Sequence, residues 1–374
     1  MLESALIYDL LRQNGFDFFT GVPDSLLKDF CAYVSDNAPD DDHVIAANEG
    51  NAVALAMGHY LGSAKPAVVY MQNSGIGNAV NPLLSLADRE VYSVPMLMVI
   101  GWRGEPGVKD EPQHVKQGRR MTELLDAMEV PWFVLPAEAE DATTVLAEAC
   151  RTMKEAAAPV ALLVRKNTFA RYELRKKSAT NYPMNREAAI QCVLERLGDE
   201  DVVVSTTGKA SREVYEYRQA KGTAGNDFLT VGGMGHTASI AMGLARAQPA
   251  RRVVCLDGDG SLIMHMGAMG IISRQGSDNL LHIVINNGAH DSVGGQPTVG
   301  YEIDVPAIAR ACGYREAVSV TDEEELAREL QRLLGLRGPA LLQVVVNKGA
   351  RPELGRPKST PIENRDALMQ SLGL

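Results

Sequence analysis

Cysteine is scarce in this 374-residue chain: Cys31, Cys150, Cys192, Cys255 and Cys312 are odd in number and scattered. No CxxC pair occurs, so neither a disulfide framework nor a structural zinc site is indicated, and a reducing cytoplasm fits this usage. Long apolar runs are also missing, with none reaching the ~18 residues of a membrane span. The N-terminal Met-Leu-Glu-Ser-Ala has no basic start of a secretory signal, which leads us to expect an unprocessed cytoplasmic protein. Positive charge is in deficit: Lys+Arg 37 stand against Asp+Glu 47, for a net charge of -10 and a pI near 5.3. That balance argues against nucleic acid as a partner, because phosphate contacts need a basic face. An anionic ligand would have to be held by a local group of cations. No repeat of ~20–50 residues is present, which removes solenoids and propellers. Nor does a GxGxxG turn follow any strand, which removes a nicotinamide dinucleotide enzyme.

What is present is globular: 45% hydrophobic and 22% charged residues, in a chain longer than one ordinary domain of ~100–200 residues. Short apolar strand-like runs alternate with helical periodicity from end to end, the pattern of βαβ units around a parallel sheet. In the first half the strands read as 18–22, 67–71, 96–101, 132–135 and 160–164, with helices at 25–35, 51–61, 75–86, 119–128 and 137–157. In the second half the strands are 202–205, 252–256, 280–286 and 340–346, with helices near 186–197, 237–247 and 323–334. Between the halves, Arg165 to Pro183 is basic, polar and aperiodic. The expected division is therefore a first domain at 1–165, a linker at 166–183 and a second domain at 184–374.

Two elements carry chemistry. Gly258-Asp259-Gly260-Ser261 follows one apolar strand and Asn286-Asn287-Gly288 ends another, with 25 residues between Gly260 and Asn286. Both fall at strand C-termini, the ligand-binding edge of an open parallel sheet. Asp259 and an Asn amide are hard oxygen donors of the kind Mg²⁺ accepts, and Gly260 would let backbone approach a phosphate. Each element alone is also an ordinary turn.

Together, at this spacing, they resemble the fingerprint of the thiamine diphosphate-dependent enzymes, and the remaining stretches are similar to the 2-oxo acid decarboxylases of that family. The resemblance implies an α/β architecture with two doubly wound parallel-sheet domains of the thiamine diphosphate-binding fold, pyrimidine-binding and diphosphate-binding, with no middle domain. It implies Asp259, Asn287 and the carbonyl of Ala289 as ligands of the Mg²⁺ that anchors the cofactor diphosphate. Val231 to His236 resembles the glycine-rich turn against the cofactor, which draws in Gly233, Met234, Gly235 and His236, with Met234 as the apolar fulcrum. Thr206-Thr207-Gly208 would complete the diphosphate cradle with Gly258, Gly260 and Ser261. Glu49, directly before an alanine-rich helix, matches the glutamate that hydrogen-bonds the aminopyrimidine ring.

Several stretches are closer than family level: Gly21 to Ser25, Gly101 to Gly107, Asp110 to His114, Ser205 to Lys209 and Gly288 to Gln296. They are similar to decarboxylases whose substrates carry a phosphonate or sulfonate on C3, which implies 3-phosphonopyruvate first and 3-sulfopyruvate second. The sulfonate enzymes of methanogens are typically split into two chains, so a fused chain is expected to favour the phosphonate. An acetolactate synthase-like carboligase and a non-catalytic binding relative are the other readings. Asp24, His114 and His290 are the candidates for proton handling, although Asp24 also suits a helix N-cap and a lone loop histidine also serves structure. Arg103, Lys109, Lys209 and Arg212 are the cations available to a phosphonate, or else solvated surface charge. The family shares its active sites between subunits, so at least a homodimer is expected, acting in phosphonate natural-product, including antibiotic, biosynthesis.

Overall fold

The structure is a computed structural model that describes residues 1–176, 180–223 and 225–374. The chain divides into two compact units, Met1–Lys177 and Ser178–Leu374. In the first unit the strands are β1 (Phe19–Gly21), β2 (His43–Ile45), β3 (Ala67–Gln72), β4 (Met96–Gly101), β5 (Trp132–Val134) and β6 (Val160–Val164). The helices are α1 (Ser4–Gln13), α2 (Lys28–Asn37), α3 (Glu49–Ser63), α4 (Ile76–Pro82), α5 (Pro112–Arg119), α6 (Met121–Ala127) and α7 (Ala139–Ala156). The second unit contains α8 (Arg186–Leu194), β7 (Val202–Ser205), α9 (Lys209–Lys221), β8 (Asn226–Leu229), α10 (Thr237–Ala247) and β9 (Val253–Gly258). It continues through α11 (Asp259–Met264), α12 (Ala268–Gln275), β10 (Leu280–Asn286), α13 (Val305–Cys312) and β11 (Glu316–Val320). The last elements are α14 (Glu323–Leu334), β12 (Ala340–Val345) and α15 (Pro361–Ser371).

Among the described residues each unit is built on one six-stranded sheet, ordered β2-β1-β3-β4-β6-β5 in the first and β11-β12-β10-β9-β7-β8 in the second. All neighbouring strands run parallel. Read from the opposite edge, the second order repeats the first strand for strand, confirming the doubly wound α/β expectation twice over. The central strands are buried on both faces because helices cover both. Val99, Leu97 and Leu162 pack with Leu11, Phe30 and Leu146 on one side of the first sheet. Met98, Ile100 and Leu163 pack with Val53, Leu83 and Leu125 on the other. In the second unit Leu256, Ile283 and Leu342 meet Ile190, Val214 and Leu330, while Cys255, Val284 and Leu341 meet Ala241, Leu262 and Ile272. Cys255, Asp257 and His282 form a small polar pocket on that second face. His282 bridges Tyr314 Oη at 3.2 Å and Asp257 at 3.4 Å, so the buried polar groups are satisfied by one another.

In each sheet the chain starts inside, steps to one edge and then crosses back to build the other side, which places a switch point between β1 and β3 and between β7 and β9. Loops leaving the C-terminal ends of those strands diverge to opposite faces and open a crevice there. This is the feature of the fold that positions the site.

Differences from the sequence reading have local causes. β8 (NDFL) and β11 (EAVSV) are sheet edges with mixed burial, so they lack the continuous apolar run that marks a central strand. α9 carries Lys209, Arg212, Arg218 and Lys221 with few apolar positions, and its helical period is masked by charge. The helix expected at 75–86 closes at Pro82 and continues as a single π turn over Leu83–Ala87, since proline supplies no N–H to the ladder. The segment read as the start of a linker packs on the first unit. Leu2 and Ala170 exchange backbone hydrogen bonds with their neighbours at 2.8 and 2.7 Å, Phe169 stacks on Phe30, and Asp36 accepts from the N–H groups of Arg175 and Lys176. The linker read from the sequence also includes 177–179, which lie outside the described residues.

Among the described residues no helix is long and apolar enough to cross a membrane. Ile283 sits fully buried at the centre of β10, and Ile283→Ala is expected to cost the second unit about 2–5 kcal/mol. Denaturant unfolding checks this, and an unchanged midpoint would contradict the packing described.

Candidate active site

In the second unit the residues gather at the crevice between β7 and β9. Gly208 has φ +98°, and a Cβ there would lie 2.7 Å from Ser292 Oγ, so only glycine lets the Thr206 to Lys209 turn approach the 288–301 loop. Ser211 ties the turn down by donating to the Thr206 carbonyl at 2.7 Å, and the buried Thr206 hydroxyl has no partner. Asp259 opens α11 at 3% exposure. Its Oδ1 accepts the Asn287 N–H at 3.4 Å, and its Oδ2 accepts from the Thr298 hydroxyl. Burial pushes the Asp259 carboxyl up to about 6, against the pull of those hydrogen bonds.

The two asparagines divide the labour. Asn286 donates to the Gly300 carbonyl at 2.6 Å and accepts from the Gly288 N–H, so it folds the loop back over the strand end. Asn287 stands beside Asp259, its oxygen accepting the Ala289 N–H at 3.2 Å. Asp259, the Asn287 amide oxygen and the backbone at Ala289 are thus linked by successive hydrogen bonds, and a carboxylate and an amide oxygen are hard donors of the kind that suits a divalent cation such as Mg²⁺. Gly260 faces Met234 and His290: a Cβ on it would lie 3.2 Å from Met234 Cε and 3.3 Å from His290 Cε1. Gly235, with φ +90°, donates to Ser261 Oγ at 3.1 Å. His236 is exposed, with its ring on the Gly233 carbonyl. Burial lowers His290 to about 4. Lys209 at the head of α9 is half-buried, and burial lowers its ammonium while Asp291 opposes that. The described geometry therefore fits a cation-anchored anion: oxygen donors, a glycine-lined approach and an orphan hydroxyl.

In the first unit the crevice lies between β1 and β3. Asp24 is fully buried and accepts from the Leu26 N–H at 2.8 Å and from Gln72 Nε2 at 2.5 Å, the latter spanning the crevice. Its carboxyl is raised by burial, with the Gln72 and Leu26 hydrogen bonds and the Arg103 charge opposing. Asp24 does not cap α2, which starts only at Lys28; its bond to Leu26 N–H makes a separate turn. Glu49 begins α3 at 6% exposure, with Asn48 capping the helix by accepting the Asn51 N–H. Asn78 donates to Glu49 Oε2 at 2.7 Å, and a Cβ on Gly75 would fall 2.4 Å from Oε1. This carboxylate is held in place from two sides, unlike a solvated acid at a helix end.

Arg103 follows β4 and is committed within its own unit. It donates in a fork to Asp110, at 2.8 and 2.5 Å, and to Ser25 Oγ at 2.7 Å. Burial opposes it, yet these bonds and two backbone N–H groups hold the Asp110 carboxyl well below the usual range. Asn73 brackets the Arg103 backbone by donating to its carbonyl and accepting its N–H. Lys109 is exposed and Arg212 half-buried. His114 is nearly buried, with no hydrogen-bond partner at Nδ1. Gln72, Asn73, Asn78, Thr298 and Arg186 carried no sequence signal, while Asp110 and Asp291 lay in family-like stretches without an assigned role.

The C-terminal thiamine pyrophosphate enzyme domain, described as TPP binding, matches residues 206–344, and the corresponding N-terminal TPP binding domain matches residues 3–130. The chain belongs to the thiamine pyrophosphate enzymes, in their decarboxylase branch. It is 35% identical to a phosphonopyruvate decarboxylase of Streptomyces viridochromogenes, over 97% of this chain and 93% of that protein. It is 34% identical to a phosphonopyruvate decarboxylase of Streptomyces hygroscopicus, over 93% and 88% respectively. A sulfopyruvate decarboxylase of Methanosarcina acetivorans is 25% identical over 92% of this chain and 91% of its own length. That last match corrects one expectation: a fused chain does not distinguish phosphonate from sulfonate, because a sulfonate-named relative spans both units.

His114 generates a pH prediction. Burial and then the Arg103 charge lower its ring from 6.5 to about 4. Above pH 6.5 the ring is neutral in both folded and unfolded chains; as pH falls from 6.5 through about 4, only the unfolded chain gains the proton and stability is lost. Thermal melts of wild type and His114→Gln across that window should diverge, the variant losing less on acidification. Parallel curves would place the His114 ring in solvent.

Proposed function

We propose that the protein is a thiamine diphosphate- and Mg²⁺-dependent decarboxylase that converts 3-phosphonopyruvate to phosphonoacetaldehyde and CO₂. The chain-long likeness to the two Streptomyces phosphonopyruvate decarboxylases is the observation that carries this reading. When bound, the cofactor supplies the carbon nucleophile and the electron sink for loss of CO₂. Asp259, Asn287 and the Ala289 carbonyl would hold the metal that neutralises the diphosphate, with Thr207, Gly208, Gly258 and Gly260 against its oxygens. Met234, beside Gly260, would be the apolar support for the rings. Glu49 keeps a carboxylate at a fixed place for the pyrimidine ring, set by Asn78 and Gly75.

His114 and His290 are neutral above about pH 5, since burial lowers both to about 4, and each can therefore offer a hydrogen bond without bringing a charge, becoming cationic only on taking up a proton. Asp24 is held as a buried acid by Gln72, next to the Arg103 loop. Arg103 has its fork occupied by Asp110, so the phosphonate passes to Lys209, a cation beside the turn that would cradle anions. We infer a homo-oligomer, at least a dimer, because the two binding domains of this family complete each other between subunits. The free cysteines, Cys31, Cys150, Cys192, Cys255 and Cys312, suit a cytoplasmic enzyme of phosphonate biosynthesis.

The test is aldehyde formation from 3-phosphonopyruvate, 3-sulfopyruvate and pyruvate, each with and without thiamine diphosphate and Mg²⁺. Preference for the phosphonate, lost on withholding either cofactor, is expected. Preference for the sulfonate would overturn the substrate and keep the class. Glu49→Gln should lower kcat by about 10²–10⁴-fold. Lys209→Ala should raise KM for the phosphonate by about 10–100-fold, the worth of one charged hydrogen bond, with cofactor affinity retained. An unchanged KM would remove Lys209 from the substrate site.

A further inference from the structure

A buried chain of charges in the second unit takes no part in the chemistry described so far. Arg186 is the first residue of α8, at 6% exposure, and its guanidinium lies between two carboxylates. Nε and Nη2 donate in a fork to Glu213 of α9, both at 2.8 Å, and Nη1 donates to Asp291 Oδ2 at 2.9 Å. The same Asp291 oxygen accepts from Asn287 Nδ2 at 3.0 Å and from the Gly349 N–H at 2.8 Å. Buried ion pairs of this kind add little stability over apolar side chains of equal volume, because each ion gives up its hydration. What such a chain does supply is direction.

Asn287 is the residue that needs direction. The two ends of a carboxamide are nearly equal in shape and opposite in chemistry, one accepting and one donating. An ionised carboxylate can only accept, so Asp291 takes the NH₂ end of Asn287 and leaves the oxygen at the other. The flipped amide would set oxygen against the Asp291 carboxylate and NH₂ against a cation, unfavourable at both ends. Asp291 is itself fixed by Arg186, and Arg186 by Glu213, which reaches the loop from two helices.

We propose that Glu213, Arg186 and Asp291 form a positioning relay that orients the amide of Asn287 for a divalent cation. The inference rests on the metal reading of Asp259, Asn287 and Ala289. Glu213 aims Arg186, Arg186 anchors the Asp291 carboxylate, and that carboxylate selects which end of Asn287 faces the ion. Groups that orient a ligand from behind typically change metal affinity by about 10–100-fold when removed.

The experiment is a Mn²⁺ titration of the whole protein with thiamine diphosphate present, following free Mn²⁺ by electron paramagnetic resonance. Asp291→Asn is expected to weaken Mn²⁺ binding by about 10–100-fold. Glu213→Gln should shift it in the same direction by less, and it serves as the second variant should Asp291→Asn not fold. Arg351→Ala loses ion pairs to Glu187 and Glu216 on the same two helices but leaves the relay intact, and should bind as wild type does. High Mg²⁺ should restore kcat in Asp291→Asn with KM for the oxo acid unchanged. Wild-type Mn²⁺ affinity in both relay variants, or an equal loss in Arg351→Ala, overturns the relay. A wild-type protein that does not bind Mn²⁺, or an Asp259→Ala variant that binds it as tightly, overturns instead the metal reading on which the relay rests.

Discussion

The second unit is organised around a carboxylate that has been taken out of water with no cationic side chain hydrogen-bonded to it among the described residues. Asp259 is buried, and its carboxylate accepts from the Thr298 hydroxyl and from backbone N–H groups, including that of Asn287, all neutral donors. Burying such a group is unfavourable, as its raised carboxyl shows. A divalent cation would reverse the sign of that penalty. The folding of the loop from Asn287 to Tyr301 follows from this: Asn286 and Thr298 draw it over the strand end, and Gly300 is small because a Cβ there would lie 2.6 Å from Asn286 Oδ1 and 2.7 Å from Asp259 Oδ2.

Charge is handled differently in the first unit. Asp24, Arg103 and Asp110 form a connected set through Ser25, with Gln72 and Asn73 supplying neutral contacts from the end of β3. Two acids share one cation there, and burial raises the Asp24 carboxyl against the Gln72 and Leu26 hydrogen bonds and the Arg103 charge. Glu49 stands apart from that cluster, fixed by an amide donor and a glycine. The same strand order thus supports two kinds of edge: one with a buried carboxylate among neutral donors, one with its acids fixed by amide and guanidinium donors.

The sheet centres were readable from the amino-acid sequence because a strand buried on both faces is an unbroken apolar run. β4, β6, β7 and β10 fall where those runs lie. β8, β11 and α9 were not readable: an edge strand is half wet, and a helix rich in Lys, Arg and Glu hides its period. The Gly-Asp-Gly and Asn-Asn elements stood out because each follows a strand at a fixed separation, whereas Gln72, Asn78, Thr298 and Arg186 have no local pattern. Their importance arises only from what lies opposite them.

The sequence by itself therefore determined the two-unit α/β class and marked the strand ends that carry Glu49, Asp259 and Asn287 as candidates for chemistry, since each of these depends on residues near in the chain. Tertiary structure alone decided that Arg103 spends its fork on Asp110, that Asp24 faces Gln72 instead of capping a helix, and that Asp291 holds Asn287 under the control of Arg186 and Glu213. Asp24 and Gln72, and Arg186 with Glu213 and Asp291, are far apart in the chain and are brought together by parallel pairing and by burial, which then decide what the nearer pairs Arg103–Asp110 and Asn287–Asp291 face. A hydrogen bond between groups that the chain separates by many residues is specified by the folded core, and not by any local motif.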